Sequence, residues 1–116
     1  MDLLYRKCTL VEAGIPPLTR KEIRVLLKEV PDWSLEDGHL LRRFTFRDFK
    51  ECVKFVDGVV GIATEEGHFL DICISQARYV DILLYTYAIG GLSLNDFILA
   101  AKIVHRLIHI PAGSGL

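Results

Sequence analysis

The chain has 116 residues, 51% of them apolar and 25% charged, with a net charge of −1 and a pI near 6.4. That length holds one hydrophobic core without room for a second, the apolar content excludes a disordered chain, and the charge offers no broad basic footprint for a nucleic-acid backbone. Three cysteines (Cys8, Cys52 and Cys73) without CxxC spacing indicate neither a disulfide framework nor a zinc site. No apolar run approaches the ~20 residues of a membrane helix, and no charged-then-apolar leader opens the chain. A single cytoplasmic domain spanning residues 1–116 is expected. A mean hydropathy of +0.31 is high for so small a domain and favours a homo-oligomer.

Residues 1–18 lack periodicity and end in Pro16-Pro17, which reads as an extended arm. Thr19 to Glu22 has capping-box spacing. Ile23, Leu26, Leu27 and Val30 follow at i, i+3, i+4 and i+7, one face of a helix expected to run until Pro31 stops it. Trp33–Leu35 and Leu40–Phe46 flank the turn-forming Glu36-Asp37-Gly38, predicting a β-hairpin. Thr45 to Asp48 is a second possible capping box, opening a helix to about Glu66 with Phe49, Val53, Val56 and Val60 on one face. Gly58 and Gly61 weaken that helix by ~1 kcal/mol each against Ala, or allow it to pack closely on a neighbour.

Phe69–Ser75 and Tyr79–Tyr87 read as two further strands. Gly90-Gly91 breaks the chain, and the capping-box spacing Ser93 to Asp96 opens a last helix with Phe97, Ala100, Ala101, Val104 and Leu107 facing inward. The tail 111–116 is expected to fray. The order α-β-β-α-β-β-α predicts an α+β fold, a four-stranded antiparallel sheet with three helices on one face.

Alternation sorts the strand residues. Leu70, Ile72 and Ile74, with Val80, Ile82 and Leu84, face the helices. The opposite face carries Phe69, Asp71 and Cys73 beside Tyr79, Asp81, Leu83, Tyr85 and Tyr87. So aromatic a face, with no element left to cover it, reads as a contact surface. Asp71 and Asp81 stand on it, facing each other or rimming the patch. His39, beside a hairpin turn, reads as solvated. His105 and His109, four apart on the last helix, read as a surface pair because no carboxylate or cysteine accompanies them locally. No metal and no cofactor are expected.

The run Gly90-Gly91-Leu92-Ser93-Leu94-Asn95-Asp96-Phe97, continuing to Ile103, resembles the closing segment of bacterial pterin-4a-carbinolamine dehydratases. The arm from Lys7-Cys8 to Pro16-Pro17-Leu18, Pro31-Asp32-Trp33 and the stretch Phe46–Phe49 resemble the same family. The resemblance implies the fold already derived, in dimers that extend the sheet and often pair into tetramers. Where family members typically read Glu-Glu-Gly-His-His-Pro-Asp-Ile, this chain reads Glu65-Glu66-Gly67-His68-Phe69-Leu70-Asp71-Ile72. Where they end a strand in Trp-Thr-His, it ends in Tyr85-Thr86-Tyr87. His68 therefore matches the first family histidine, whereas Phe69 and Tyr87 replace the other two.

Those replacements bear on chemistry. Dehydrating a 4a-hydroxytetrahydropterin needs a proton given to the leaving hydroxyl and another taken from ring nitrogen, work suited to histidine with its pKa of ~6.5. Phe69 does neither, and Tyr87, a phenol that ordinarily titrates near ~10, is a poor base. Each loss typically costs ~10² to 10⁴ in rate. His68 is expected to be a relic without an orienting partner.

The pattern is similar to one branch of the family, the non-catalytic RuBisCO assembly factors of α-carboxysomes. That likeness implies a chaperone-like protein whose partners are itself, as dimer or tetramer, and RuBisCO subunits. Tyr79, Asp81, Leu83, Tyr85 and Tyr87 would make the docking surface, and the protein would be cytoplasmic and carboxysome-associated. The alternative is a dehydratase with a degenerate site. A third reading, from animal members that help a homeodomain transcription factor to dimerise, fits the bacterial character of the arm and closing segment less well.

Overall fold

The computed structural model describes residues 2–108; His109 and the tail 111–116 lie outside them. Three helices, α1 (Arg20–Leu27), α2 (Phe49–Glu66) and α3 (Leu94–Leu107), pack on a sheet of β1 (Ser34–Glu36), β2 (His39–Thr45), β3 (Asp71–Ser75) and β4 (Tyr79–Leu84). All strands are antiparallel, in the order β1-β2-β4-β3. The α+β architecture is the one the sequence predicts. Short 3-10 helices at Leu3–Tyr5 and Tyr87–Ile89 add to it.

Register fixes the two faces of the sheet. Leu40, Arg42 and Phe44 of β2 stand opposite Leu84, Ile82 and Val80 of β4, on the helix side. Leu40, Val80, Ile82 and Leu84 are fully buried there against Val59 of α2 and Phe97, Leu99 and Ile103 of α3. Burying each such large side chain contributes about 1.5–3 kcal/mol. Both hairpins turn through left-handed residues: Asp37 and Gly38 (φ 49° and 78°) in the first, Gln76 and Ala77 (φ 54° and 57°) in the second. This backbone twist matches that of the flanking strands.

Three local expectations are corrected. Helix α1 begins with the predicted capping box, Glu22 N–H on Thr19 Oγ1 and Thr19 N–H on Glu22 Oε1. It ends at Leu27, however, because residues 28–30 tighten into i→i+3 hydrogen bonds before Pro31. Helix α2 is capped by Asp48, which accepts from Glu51 N–H at 2.9 Å, rather than by Thr45. Of the four α2 residues expected to face inward, Phe49, Val53 and Val60 are exposed, and only Val56 packs, partly buried, against the core. The core face is Cys52, Phe55, Val59, Ile62 and Ala63. Both faces are apolar, so periodicity alone does not separate them. Of the two α2 glycines, only Gly58 serves close packing: a Cβ there would stand 2.7 Å from Leu107 of α3, whereas Gly61 meets nothing within 4 Å.

The arm is docked rather than loose. Leu3 is buried, Leu18 N–H donates to Leu92 O at 2.9 Å, and Pro17 lies where a Cβ on Gly91 would stand, 2.6 Å away. Thr9 exchanges two hydrogen bonds with the Asn95 side chain, and Cys8 N–H donates to Glu66 Oε1 at 2.9 Å. Glu66 Oε2 accepts from Lys102 Nζ at 2.7 Å, with both side chains buried. Burial opposes the charge on Glu66, but the bonds from Lys102 and Cys8 outweigh it and hold the carboxyl below its ordinary 4.5. Burial, with the nearby Glu66 charge, pushes the Cys8 thiol up to about 12, so it stays protonated and inert as a nucleophile.

Candidate functional site

Helix α2 ends at Gly67, whose left-handed conformation (φ 69°) turns the chain back. The next residue, His68, is only 9% exposed. Its Nε2 lies 2.8 Å from Oδ1 of Asp96, a residue of the first turn of α3 that is fully buried. The other carboxylate oxygen, Oδ2, accepts from Thr86 Oγ1 at 2.7 Å and from Ser93 N–H at 2.9 Å. Ser93 Oγ stands 2.8 Å from Thr86 Oγ1.

This is the capping box predicted from Ser93 to Asp96, with its acidic member recruited to a second task. The positive end of α3 and two other donors suit the charged carboxylate. A carboxylate only accepts, so His68 Nε2–H donates to it, and in the neutral imidazole Nδ1 is then the accepting nitrogen. The expectation that His68 has no orienting partner is thus corrected: Asp96 sets its tautomer and its orientation. Asp96 is 28 residues away in sequence, beyond the reach of any local pattern. Its only local signal is its place in a capping box that leads directly into the apolar run Phe97 to Ala101.

The two residues that stand where histidines were expected behave differently. Phe69 projects from the chain, 71% exposed, before β3 begins. Tyr87 is 66% exposed and lies in a 3-10 helix, not in a strand as expected. Strand β4 stops at Leu84 because Thr86 pairs with Gly91 across a tight loop closed by left-handed Gly90. The Tyr87 hydroxyl donates to Asp71 Oδ2. That hydrogen bond above all, with the Asp71 charge, raises its pKa beyond the ordinary 10. Tyr87 is therefore a neutral donor at physiological pH whose proton is engaged, and no base. Of the three positions, only His68 is equipped to move a proton.

The residues expected to bind a partner share the face of the sheet away from the helices, in two groups. At one end Arg43 grips Asp81 with two bonds of 2.8 and 2.9 Å and lies over the Tyr79 ring at 4.6 Å. The Arg43 bonds hold the Asp81 carboxyl below its ordinary range. Asp81 thus has a partner within the chain, and it faces Cys73, not Asp71; Asp71 faces Leu83. At the other end Tyr85 and Tyr87 meet edge to face at 5.0 Å. His39 stacks on Tyr85 at 4.1 Å while its Nδ1 donates to Asp37 O. His39, read as solvated from the sequence, belongs to this aromatic cluster. Leu83, between the groups, faces Leu41 and Asp71. Among the described residues no cluster of three potential metal ligands occurs, and no helix is long and apolar enough to cross a membrane.

Comparison with known proteins agrees with this fold. The profile of the family described as Pterin 4 alpha carbinolamine dehydratase matches residues 16–105. A protein of Rubrobacter xylanophilus that carries a pterin-4-alpha-carbinolamine dehydratase name is 39% identical over 103 residues, 88% of this chain and 95% of that protein. One from Cupriavidus pinatubonensis with the same kind of name is 44% identical over 97 residues, covering 82% and 83%. The crystal structure of a transcriptional coactivator/pterin dehydratase from Brucella melitensis superimposes with a TM-score of 0.70 at 25% identity, covering 77% of this chain and 96% of that one. The chain belongs to the pterin-4a-carbinolamine dehydratase family.

Proposed function

We propose that this chain is a family member in which an exposed aromatic surface has replaced the proton-transfer site, and that it acts by binding a protein partner. The observation that carries this reading is the pair Phe69 and Tyr87, 71% and 66% exposed where the family resemblance expects histidines. One has no proton to exchange, and the proton of the other is held by Asp71. Large exposed aromatic rings are costly on a free surface and enriched at interfaces.

The resemblance to dehydratase-like assembly factors supports a RuBisCO subunit as the partner, with a chaperone-like role beside the α-carboxysome. Self-association is supported by the exposed Phe49, Val53 and Val60 on α2 and by β3, an edge strand free to pair with a second copy. The test is titration of the chain against purified RuBisCO from a carboxysome-bearing bacterium. The double variant Tyr85→Ala, Tyr87→Ala is expected to bind at least about tenfold more weakly with an unchanged circular dichroism spectrum. Equal affinity of variant and wild type would remove Tyr85 and Tyr87 from the docking surface.

The second reading, a dehydratase with a reduced site, is favoured by one observation: the His68–Asp96 pair. A histidine oriented by a carboxylate is a competent general acid or base, and its Nδ1 would serve a reduced pterin bound between His68 and Tyr87.

A further inference from the structure

The face of the sheet away from the helices places a carboxylate beside a tyrosine ring twice. In the first case the pair is Asp81 and Tyr79, and Arg43 joins both. Its guanidinium makes two bonds of 2.8 and 2.9 Å to the carboxylate and lies over the ring at 4.6 Å. A guanidinium can do both at once because its donors point outward in its plane while its flat face stays free to stack.

In the second case the pair is Asp71 and Tyr87, tied together by the Tyr87 hydroxyl, which donates to Asp71 Oδ2. His39 stacks on Tyr85, and Tyr87 is the more open of the two tyrosines, exposed as Asp71 is. Register sets the spacing. Asp71 faces Leu83, and the next row pairs Cys73 with Asp81, so the two carboxylates are diagonal neighbours across β3 and β4. None of the ion pairs among the described residues includes Asp71. Arg43 is committed to Asp81, and Arg78 lies over Tyr79 at 5.6 Å, at the hairpin end. A carboxylate accepts about four bonds, so the one from Tyr87 leaves Asp71 able to take further donors.

We infer that Asp71 and the Tyr87 ring form a seat for an arginine side chain of the protein partner, with the guanidinium bonded to the carboxylate and stacked on the ring as Arg43 is on Asp81 and Tyr79. The inference rests on the reading of this face as a docking surface and names what the surface recognises. Leu83, opposite Asp71, offers apolar surface to the arginine stem. Lysine suits the seat less well, because a compact ammonium lacks the planar fork and the stacking face.

A nitrogen-15 NMR titration of the full chain with N-acetyl-arginine amide, at constant ionic strength, tests the seat without the partner. Saturable shifts are expected at the amides of Asp71, Leu83, Tyr85 and Tyr87, with a Kd on the order of 10–50 mM, weak because both contacts are exposed. N-acetyl-citrulline amide, similar in shape but uncharged, should give no saturable shift. Asp71→Asn and Tyr87→Leu should each weaken arginine binding about threefold or more, whereas Tyr87→Phe, which keeps the ring and frees Oδ2, should bind at least as well as the wild type. No saturable shift up to about 200 mM, or equal binding by the citrulline analogue or by Asp71→Asn, would overturn the seat. The RuBisCO titration, run on the same variants, separates the seat from the choice of partner. A wild type that binds the arginine amide but not RuBisCO would keep the seat and remove that partner. RuBisCO binding that is equally tight in wild type and Asp71→Asn would remove the seat from the docking surface. A smaller assembly of Asp71→Asn in sedimentation would assign the arginine to a second copy of this chain and overturn its assignment to a partner.

Discussion

Replacing Glu66 by Ala is expected to cost about 3–5 kcal/mol, because it leaves the Lys102 ammonium buried without its partner. The Glu66 and Lys102 side chains are 1% and 7% exposed and 2.7 Å apart, so water cannot take over the role of the carboxylate. The same carboxylate holds the arm through Cys8 N–H, and the variant should loosen the arm as well. For a domain of this size the loss corresponds to a drop of roughly 12–20 °C in the unfolding midpoint, a large share of a total stability of about 5–15 kcal/mol. Lys102→Met, which removes the buried charge with its partner still present, leaves a carboxylate that can neutralise by protonation, and should cost less.

The pH dependence follows from the depressed pKa of Glu66. Its charge contributes fully above the ordinary 4.5, and that contribution is lost as pH falls through the lower folded value. Glu66→Gln should therefore show a shallower loss of stability below pH ~4.5 than the wild type. Calorimetric melts of the variants between pH 3 and 7 check both results. Parallel acid profiles for wild type and Glu66→Gln would contradict this account of the ion pair.

Asp96→Ala is expected to destabilise by a similar ~3–5 kcal/mol. The fully buried carboxylate serves His68, Thr86 and Ser93 at once, and truncation leaves three donors unpaired at the start of α3. Asp96→Asn is the informative companion. Its amide oxygen in the Oδ2 position can still accept from Thr86 and Ser93, but its NH₂ would face His68 Nε2–H, so it should recover only part of the loss. The carboxylate also sets the His68 tautomer, so a nitrogen-15 NMR spectrum of the imidazole should show Nε2–H in the wild type and a shifted tautomer population in Asp96→Asn. Unchanged imidazole signals in Asp96→Asn would contradict the positioning role, whatever the stability.

The sequence carried what is local and periodic. The Thr19–Glu22 and Ser93–Asp96 boxes, the turn at Asp37-Gly38 and the period-2 faces of β4 depend on neighbouring residues, and each is present in the structure. What was missed depends on contacts between distant segments. Helix α2 is apolar on two sides, and only its packing against α3 and the sheet decides which side is core. The alternation of β4 continues in sequence through Tyr87, but the Thr86–Gly91 bridge ends the strand earlier and places Tyr87 in a 3-10 turn. The Asp96 carboxylate reads from the chain as a helix cap alone, and only the return of the chain at Gly67 brings His68 to it. His68 itself stood out in the sequence, whereas the buried carboxylate that orients it did not.

The central claim, that the aromatic replacements have ended the pterin chemistry, is tested most directly by a coupled assay with 4a-hydroxytetrahydropterin generated in situ. The wild-type chain would be run beside a variant carrying Phe69→His, Leu70→Pro and Tyr87→His, in which the His68–Asp96 pair is retained. The account predicts a wild-type rate no faster than spontaneous dehydration and, for the variant, an increase on the order of 10² or more. A wild-type rate well above the spontaneous one would contradict it, and would show that a single histidine oriented by Asp96 suffices.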